Sequence, residues 1–172
     1  MKTLILLRHA KSSWDDPSVS DFARPLNPRG AEAARAMGRA MRDLGLTADR
    51  VLASPAVRVV QTLEGLGEAL GPIAPIFDER VYLASAPTLL DMIRAADDLD
   101  ERLMVVGHNP GLAELALQLA RGGALRDRIA VKYPTGALAE IAFEVERWCD
   151  VMAGAGTLAR FIRPRDLDAE AG

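Results

Sequence analysis

Arginine and histidine side chains stand directly after hydrophobic segments at three places in this sequence. The segments are LILLRHA at residues 4–10, VLASPAVR at residues 51–58 and MVVGHNPG at residues 104–111. The chain has 2 histidines, and both occur in these segments. The side chains concerned are Arg8, His9, Arg58 and His108. Two arginines and two histidines brought together would form a cationic pocket suited to a phosphoryl group.

Each of these residue types has a chemical role available at a phosphoryl group. Neutral imidazole is a good nucleophile near pH 7, because its reference pKa is about 6.5, so one histidine could accept the phosphoryl group. Arginines would bind the phosphoryl oxygens through their permanently charged guanidinium groups. The second histidine, protonated beside the anion, would add a donor, and water would then hydrolyse the phosphohistidine. This chemistry requires no metal, and the sequence contains no HxxxH or CxxC spacing typical of metal sites.

Each residue taken alone also has a simpler interpretation. A single histidine at the end of a strand is more often structural than catalytic. An arginine in the first turn of a helix usually faces the solvent. The positive charge of Arg58 near the helix N-terminus would be unfavourable by about 0.3–1 kcal/mol, because the helix dipole is positive there. An anion bound by both Arg58 and the helix N-terminus would remove this cost. Because several such placements occur together, a common anion pocket is favoured.

Hydrophobic runs and helical periodicities alternate along the chain. Leu4–Leu7 and Leu103–Val106 are continuous aliphatic runs, which are typical of strands buried on both faces of a parallel sheet. The alternation predicts a three-layer α/β fold with a mainly parallel sheet, whose ligands bind beyond the carboxyl ends of the strands. Shorter strands are predicted around Val51 and Ile76 and at residues 137–143 and 157–162. Helices are predicted from the Asn27–Pro28 cap to Gly45, from the Ser54–Pro55 cap to Gly71, and over Pro87–Ala96 and Pro110–Arg121.

Length and composition limit the class of protein. A chain of 172 residues predicts one domain, which we assign to residues 1–163, followed by a polar C-terminal tail at residues 164–172. The formal net charge of -3 gives no reason to expect nucleic acid or a membrane as partner. The first apolar run stops at Arg8 and is too short for a signal peptide or a membrane span, so we predict a cytoplasmic protein. We also expect the protein to be a monomer. The single cysteine, Cys149, is predicted to be buried and inert.

Three segments in order resemble the signatures of a known family. LLRHAKSSW, LASPAVRVVQT and VVGHNPG are similar to motifs of the histidine phosphatase superfamily, which includes the phosphoglycerate mutases. Their order and spacing most resemble the small SixA-type phosphohistidine phosphatases, and RPLNPRG at residues 24–30 and YPTGALA at residues 133–139 extend the similarity. The resemblance implies a three-layer α/β/α sandwich without metal or organic cofactor. It also implies His9 as nucleophile, Arg8 and Arg58 as phosphate ligands, and His108 as the second histidine of the pocket.

The sequence also departs from the family pattern. Ala10 occupies a position where many members have glycine, which would narrow the freedom of the backbone. Only residues 78–102 separate the third predicted strand from the fourth, which leaves no room for the large lid insertion of larger relatives. Because a lid often carries the catalytic acid, Glu79 is the best remaining acid candidate, although it also fits a solvated loop carboxylate. Weaker acid candidates are Asp15, Asp16 and Asp21, and Thr135 either supports the pocket or forms a turn before a strand.

These features predict a cofactor-independent phosphatase that forms a phosphohistidine intermediate on His9. An imidazole leaving group, with a conjugate-acid pKa of about 6.5, departs without the protonation that an alkoxide needs. A site without a lid and without an assured acid therefore favours phosphohistidine on a signalling or phosphotransfer protein. One alternative is a phosphatase of small phosphate monoesters. An alternative of another class is a noncatalytic phosphate-binding module.

Overall fold

Six strands form a single sheet through the centre of the protein. The computed structural model describes residues 1–171. The strands are β1 Lys2–Arg8, β2 Arg50–Ala53, β3 Ile76–Phe77, β4 Arg102–Gly107, β5 Leu138–Phe143 and β6 Thr157–Ile162. Their order in the sheet is β3-β2-β4-β1-β5-β6, and β5 alone runs antiparallel to its neighbours. All the predicted strands are present, and the mainly parallel sheet is confirmed.

Helices cover both faces of this sheet. They are α1 Pro28–Leu44, α2 Val57–Leu70, α3 Ala86–Arg94, α4 Gly111–Leu119, α5 Ala124–Val131 and α6 Pro164–Ala171. Residues of α1 and α2 build the core on one face, and residues of α3, α4 and α5 build the core on the other. The three-layer α/β/α sandwich is thereby confirmed, with no large insertion between β3 and β4. No helix in residues 1–171 is long and apolar enough to cross a membrane.

Neighbouring residues of β1 point into opposite cores. Leu4 and Leu6 belong to the core under α3 and α4, whereas Ile5 and Leu7 belong to the core under α1 and α2. All four are at most 1% exposed. Because side chains alternate along a strand, only a continuous aliphatic run can fill both layers. This explains the pattern that predicted a central strand.

The helices α1 and α2 differ in whether a side chain caps their N-terminus. Asn27 caps α1 as predicted, since its side chain accepts a hydrogen bond of 2.7 Å from the Gly30 amide. The predicted Ser54 cap of α2 is wrong, because this helix begins later, at Val57. The Ser54 hydroxyl instead accepts a hydrogen bond of 3.2 Å from the Ala56 amide in the turn before the helix. Its fully buried position beside β2 leaves it near the strand exits.

The polar C-terminal segment forms a helix. Residues 164–171 form α6, and Leu167 packs against the core beneath α1 and α2. Pro164 starts the helix, and the Asp166 carboxylate accepts hydrogen bonds from the amide and guanidinium of Arg163. The predicted polar tail at residues 164–172 is therefore helical over residues 164–171, and Gly172 lies outside the described residues. The boundary of the domain at residue 163 stays a prediction.

The prediction that Cys149 is buried is wrong. Cys149 lies in a short 3₁₀ turn over Trp148–Asp150 and is exposed. Trp148 takes the buried place in this turn, with 0% exposure, and its indole nitrogen donates to the Asp100 carbonyl oxygen at 2.7 Å. One short turn can present only one of the two neighbouring side chains to the core, and the larger apolar one is buried.

Small residues allow α1 and α2 to approach closely. A Cβ atom placed on Gly38 would lie 2.7 Å from the backbone oxygen of Leu66, and a Cβ atom on Gly65 would lie 2.7 Å from that of Ala34. Both distances are shorter than van der Waals contact. The close approach keeps α2 against the sheet, and α2 carries Arg58.

We expect the substitution Gly38→Ala to destabilise the protein by about 1–3 kcal/mol, because the added methyl group forces α1 and α2 apart. Gly67→Ala is the matched control, since Gly67 lies in α2 with no atom within 4 Å of its Cβ position. It should stabilise the protein by about 0.5–1 kcal/mol through helix propensity. Urea unfolding of both variants measures the effects, and equal effects would contradict the proposed close packing.

Candidate active site

The four chemistry-bearing residues predicted from the sequence meet at one edge of the sheet. Arg8 ends β1 and His9 follows it, while His108 follows β4. The strand register places Arg8 opposite Gly107, so the two histidines emerge side by side with ring centroids 5.2 Å apart. Arg58 reaches the same place from the first turn of α2. The convergence expected from the strand exits is present in the structure.

A cavity of about 450 Å³ opens at this edge of the sheet. His9, Arg58 and His108 form its buried wall, at 6%, 2% and 3% exposure. Cationic side chains outnumber carboxylates in its lining, which makes the cavity suited to an anion. The residues around it are Arg8, His9, Lys11, Ser12, Trp14, Asp21, Arg24, Arg58, Leu83, His108, Asn109, Lys132, Pro134 and Thr135.

His9 is held with one ring nitrogen free. Its Nδ1 lies 2.7 Å from the carbonyl oxygen of Ala10. Since a carbonyl oxygen can only accept, Nδ1 carries the proton and donates, and Nε2 keeps its lone pair. Burial lowers the pKa of His9 to about 4, an effect to which the nearby Arg58 charge also contributes. The imidazole is therefore neutral at pH 7, as a nucleophilic nitrogen must be.

His108 has the opposite tautomer. The Arg58 Nη2 can only donate and lies 3.3 Å from Nδ1 of His108, so this nitrogen accepts. The Nε2 proton then points to the Ser54 hydroxyl at 2.8 Å. Burial lowers the pKa of His108 to about 3, with further lowering by His9 and Arg58. The His108 ring is therefore neutral at pH 7, and its protonation beside a bound anion stays a prediction.

Arg8 and Arg58 each have a buried donor without a partner. Nη1 of Arg8 donates to the Tyr133 carbonyl oxygen at 3.0 Å, and Nη1 of Arg58 donates to the Asp21 carbonyl oxygen at 2.6 Å. The Nε atoms of both arginines are buried and make no hydrogen bond. Burial and the charge of Arg58 lower the pKa of Arg8. An unpaired buried donor costs free energy, so both groups favour an anion in this cavity.

Three residues at the site had no functional assignment, or a different one, from the sequence. Arg24 is buried, and its Nη2 lies 3.1 Å from the Asp21 carboxylate. That carboxylate also accepts from Arg58 at 3.0 Å and from the Tyr82 hydroxyl. Hydrogen bonding from Tyr82 is the largest influence that lowers the pKa of Asp21 to about 2. The RPLNPRG segment pointed to Arg24 without a role, whereas nothing in the sequence singled out Tyr82.

The other candidates from the sequence lie in different places. Glu79 is exposed, in a 3₁₀ turn over Glu79–Val81, and does not line the cavity. Asp15 and Asp16 are exposed as well and are not among the lining residues. Thr135 does line the cavity, from the turn before β5. No group of three or more His, Cys, Asp or Glu side chains within residues 1–171 could hold a metal ion.

The alanine after His9 fits the local backbone. Ala10 is fully buried, and its amide donates to the Thr62 hydroxyl at 3.0 Å. That hydroxyl in turn donates to the Arg58 carbonyl oxygen at 2.7 Å. Among the described residues other than glycine, only Leu83 has a positive φ angle, so Ala10 adopts a conformation open to any residue. Ala10 thereby connects the loop carrying His9 to the helix carrying Arg58.

We expect the two imidazoles to remain neutral at pH 5.5, with His9 protonated at Nδ1 and His108 at Nε2. Long-range ¹H–¹⁵N spectra of the histidine rings measure this directly, because the chain has 2 histidines. Both folded pKa values lie below the unfolded value of about 6.5, so the unfolded chain binds protons first. The free energy of unfolding should fall as the pH drops from about 6.5 to about 4.

Ser54→Ala is a matched control for these spectra. It removes the acceptor of the His108 Nε2 proton and should shift only the signals of His108. A folded protein in which either ring titrates near pH 6.5 would contradict the assigned protonation.

Comparisons with known proteins agree with this geometry. Residues 4–82 match the model of the histidine phosphatase superfamily (branch 1). An uncharacterized protein of Mycobacterium tuberculosis H37Rv is 37% identical over 164 residues, which cover 92% of this chain and 100% of that protein. Phosphohistidine phosphatase SixA of Escherichia coli K12 is 26% identical over 122 residues, which cover 69% of this chain and 74% of that one.

A solved structure extends the comparison to the fold. It is a candidate phosphohistidine phosphatase SixA from Agrobacterium tumefaciens, with a TM-score of 0.80 and 28% identity. The superposition covers 95% of this chain and 98% of the Agrobacterium chain. The chain therefore belongs to the histidine phosphatase superfamily, in its SixA-type branch, and is a phosphatase.

Proposed function

We propose that this protein is a cofactor-independent phosphatase acting through a phosphohistidine intermediate on His9, with phosphohistidine on a signalling or phosphotransfer protein as substrate. The observation that carries the proposal is the pairing of a free imidazole nitrogen with unsatisfied cationic donors. Nε2 of His9 keeps its lone pair in a cavity that Arg8 and Arg58 also line, and the Nε atoms of both arginines are buried without partners. The guanidinium groups of Arg8 and Arg58 would hold the oxygens of a phosphoryl group in this cavity, where the nucleophile can reach phosphorus.

The first proposed step transfers the phosphoryl group to His9. Nε2 attacks phosphorus with its lone pair, while the bond from phosphorus to the leaving nitrogen breaks and its electron pair goes to the departing imidazole. Arg8 and Arg58 stabilise the oxygens of the transferring group. The negative charge raises the proton affinity of the nearby His108, which then adds a donor.

The second proposed step is hydrolysis. A water oxygen attacks the phosphorus bound to His9, and the phosphorus–nitrogen bond breaks. Nε2 recovers its lone pair, the water proton passes to solvent or to the product, and inorganic phosphate leaves. The charges that stabilise both steps come from the side chains of this chain, so the proposal includes no metal or organic cofactor. The cytoplasmic location remains a prediction from the sequence.

The state of the carboxylates supports a substrate whose leaving group needs no acid. Asp21 is the carboxylate among the cavity residues, and its pKa of about 2 keeps it ionised at pH 7. Glu79 is exposed and lies outside the cavity lining, so the geometry does not favour it as the proton donor. An alkoxide would leave slowly from such a site, whereas imidazole leaves readily. The similarity to the SixA phosphatases supports the same substrate class.

The intermediate has a direct test. We expect incubation with phosphoramidate to produce a label that is labile to acid and stable to base, and peptide mapping should place it on His9. His9→Gln should lose the label and at least about 10³-fold in turnover, because no other imidazole nitrogen is positioned for attack. Thermal unfolding of the variant serves as the control for its fold. A label on another residue, or undiminished turnover of His9→Gln, would refute the mechanism.

The substrate class has a separate test. We expect kcat/KM for a phosphohistidine peptide to exceed that for the phosphoserine peptide of the same sequence by at least about 100-fold, because the serine alkoxide requires an acid. p-Nitrophenyl phosphate, whose leaving group is good, should be hydrolysed without an acid. Comparable or higher values for several small alkyl phosphates would instead favour the phosphatase of small phosphate monoesters. Saturable vanadate binding without any turnover would identify a noncatalytic module.

A further inference from the structure

Exposed side chains surround the mouth of the active-site cavity. Among its lining residues, Lys11, Trp14, Asp21, Leu83 and Lys132 are exposed. Asp21 is paired with Arg24 and Arg58, which leaves Lys11, Trp14, Leu83 and Lys132 without a place in the buried wall. We refer to these four residues as the cavity rim. Two of them are large and apolar, and the other two are cationic. His9 is only 6% exposed, so any phosphorylated group that reaches it must bring its surroundings close to this rim.

The apolar members of the rim are held in place by unusual local structure. Trp14 is 76% exposed, yet the guanidinium of Arg24 lies 3.6 Å from the centre of its ring. Leu83 is 54% exposed and has a φ angle of 49°, in the left-handed region. This conformation costs a branched residue roughly 1–2 kcal/mol. The fold thus keeps two apolar side chains exposed to water at the cavity mouth, although their exposure is unfavourable.

The charge around the cavity differs from that of the chain. The formal net charge of the protein is -3. The residues around the cavity, by contrast, carry more cationic side chains than carboxylates. This local excess of positive charge attracts acidic surfaces and speeds their encounter. Two of these charges, on Lys11 and Lys132, stand on the rim, where they can meet a partner outside the phosphate position. The charged residues around the cavity are Arg8, Lys11, Arg24, Arg58 and Lys132 against Asp21.

We propose that the cavity rim is a docking surface for the protein that carries the phosphohistidine, and that it selects an acidic surface with apolar side chains beside the phosphorylated residue. This inference rests on the proposed function, because it concerns recognition at the same site. Trp14 and Leu83 bury apolar area against the partner, and Lys11 and Lys132 pair with its carboxylates. The buried wall binds the phosphoryl group itself, so the rim discriminates between a protein and a small phosphate compound.

The choice of substrates isolates the contribution of the rim. One substrate is an acidic phosphotransfer protein phosphorylated on a single histidine with phosphoramidate. The other is N-phosphoimidazole, which presents the same leaving group without a protein surface. The measured quantity is the ratio of kcat/KM for the protein to kcat/KM for N-phosphoimidazole.

Substitutions at the rim should lower this ratio. Leu83→Asn keeps the turn, because asparagine tolerates the left-handed conformation, and should lower kcat/KM for the protein about tenfold. Lys132→Glu should lower it at least about fivefold, with a smaller effect at high salt. Both variants should remain within about twofold of wild type on N-phosphoimidazole. Trp14→Ala should lower the ratio about tenfold.

Matched controls come from the opposite side of the molecule. Leu99 is 88% exposed in the loop before β4, at the far end from the active site, so Leu99→Asn should not change the ratio. Arg121 is exposed after the end of α4, and Arg121→Glu is the control for charge reversal. Rim variants that keep the wild-type ratio would overturn the docking surface alone. A wild-type protein that labels His9 but does not hydrolyse the phosphoprotein would overturn the substrate proposal, and the docking surface with it.

Discussion

The parallel pairing of β1 with β4 is the constraint on which the active site depends. The fully buried aliphatic side chains of both strands each contribute about 1.5–3 kcal/mol through burial, which fixes the strands in the middle of the sheet. The register sets Arg8 against Gly107, and the His9 amide donates to the Gly107 carbonyl oxygen at 3.1 Å. Apolar packing therefore determines the distance between His9 and His108.

The structure gathers buried positive charge around the cavity. Arg24 and Arg58 are both buried, and Asp21 lies between them as a shared acceptor. This carboxylate relieves the repulsion between the guanidinium groups. The same burial and charge keep both imidazoles neutral, so the nucleophile is ready before any anion arrives. The buried unpaired donors and the positive charges of this site favour an oxyanion there.

The prediction of the fold from sequence succeeded where the signal was local. Continuous aliphatic runs identified β1 and β4, and the Asn27–Pro28 cap identified the start of α1. It failed where local signals were weak or ambiguous. The α6 helix has a polar sequence, and Leu167 is partly buried because it packs against the core beneath α1 and α2. Cys149 was expected to be buried because of its residue type, but Trp148 occupies the buried position of the turn.

The sequence by itself determined the residue types at the strand exits and the order of the motifs, and hence the family and the four central residues Arg8, His9, Arg58 and His108. The motifs and the residue types at the strand exits can be identified within short segments of the sequence, without knowledge of long-range contacts. The tertiary structure alone decided which ring nitrogen of each histidine is free, since the acceptors and donors come from other segments. It also decided that Asp21 accepts from Arg58 and Tyr82, because contacts across 37 and 61 positions arise only from folding.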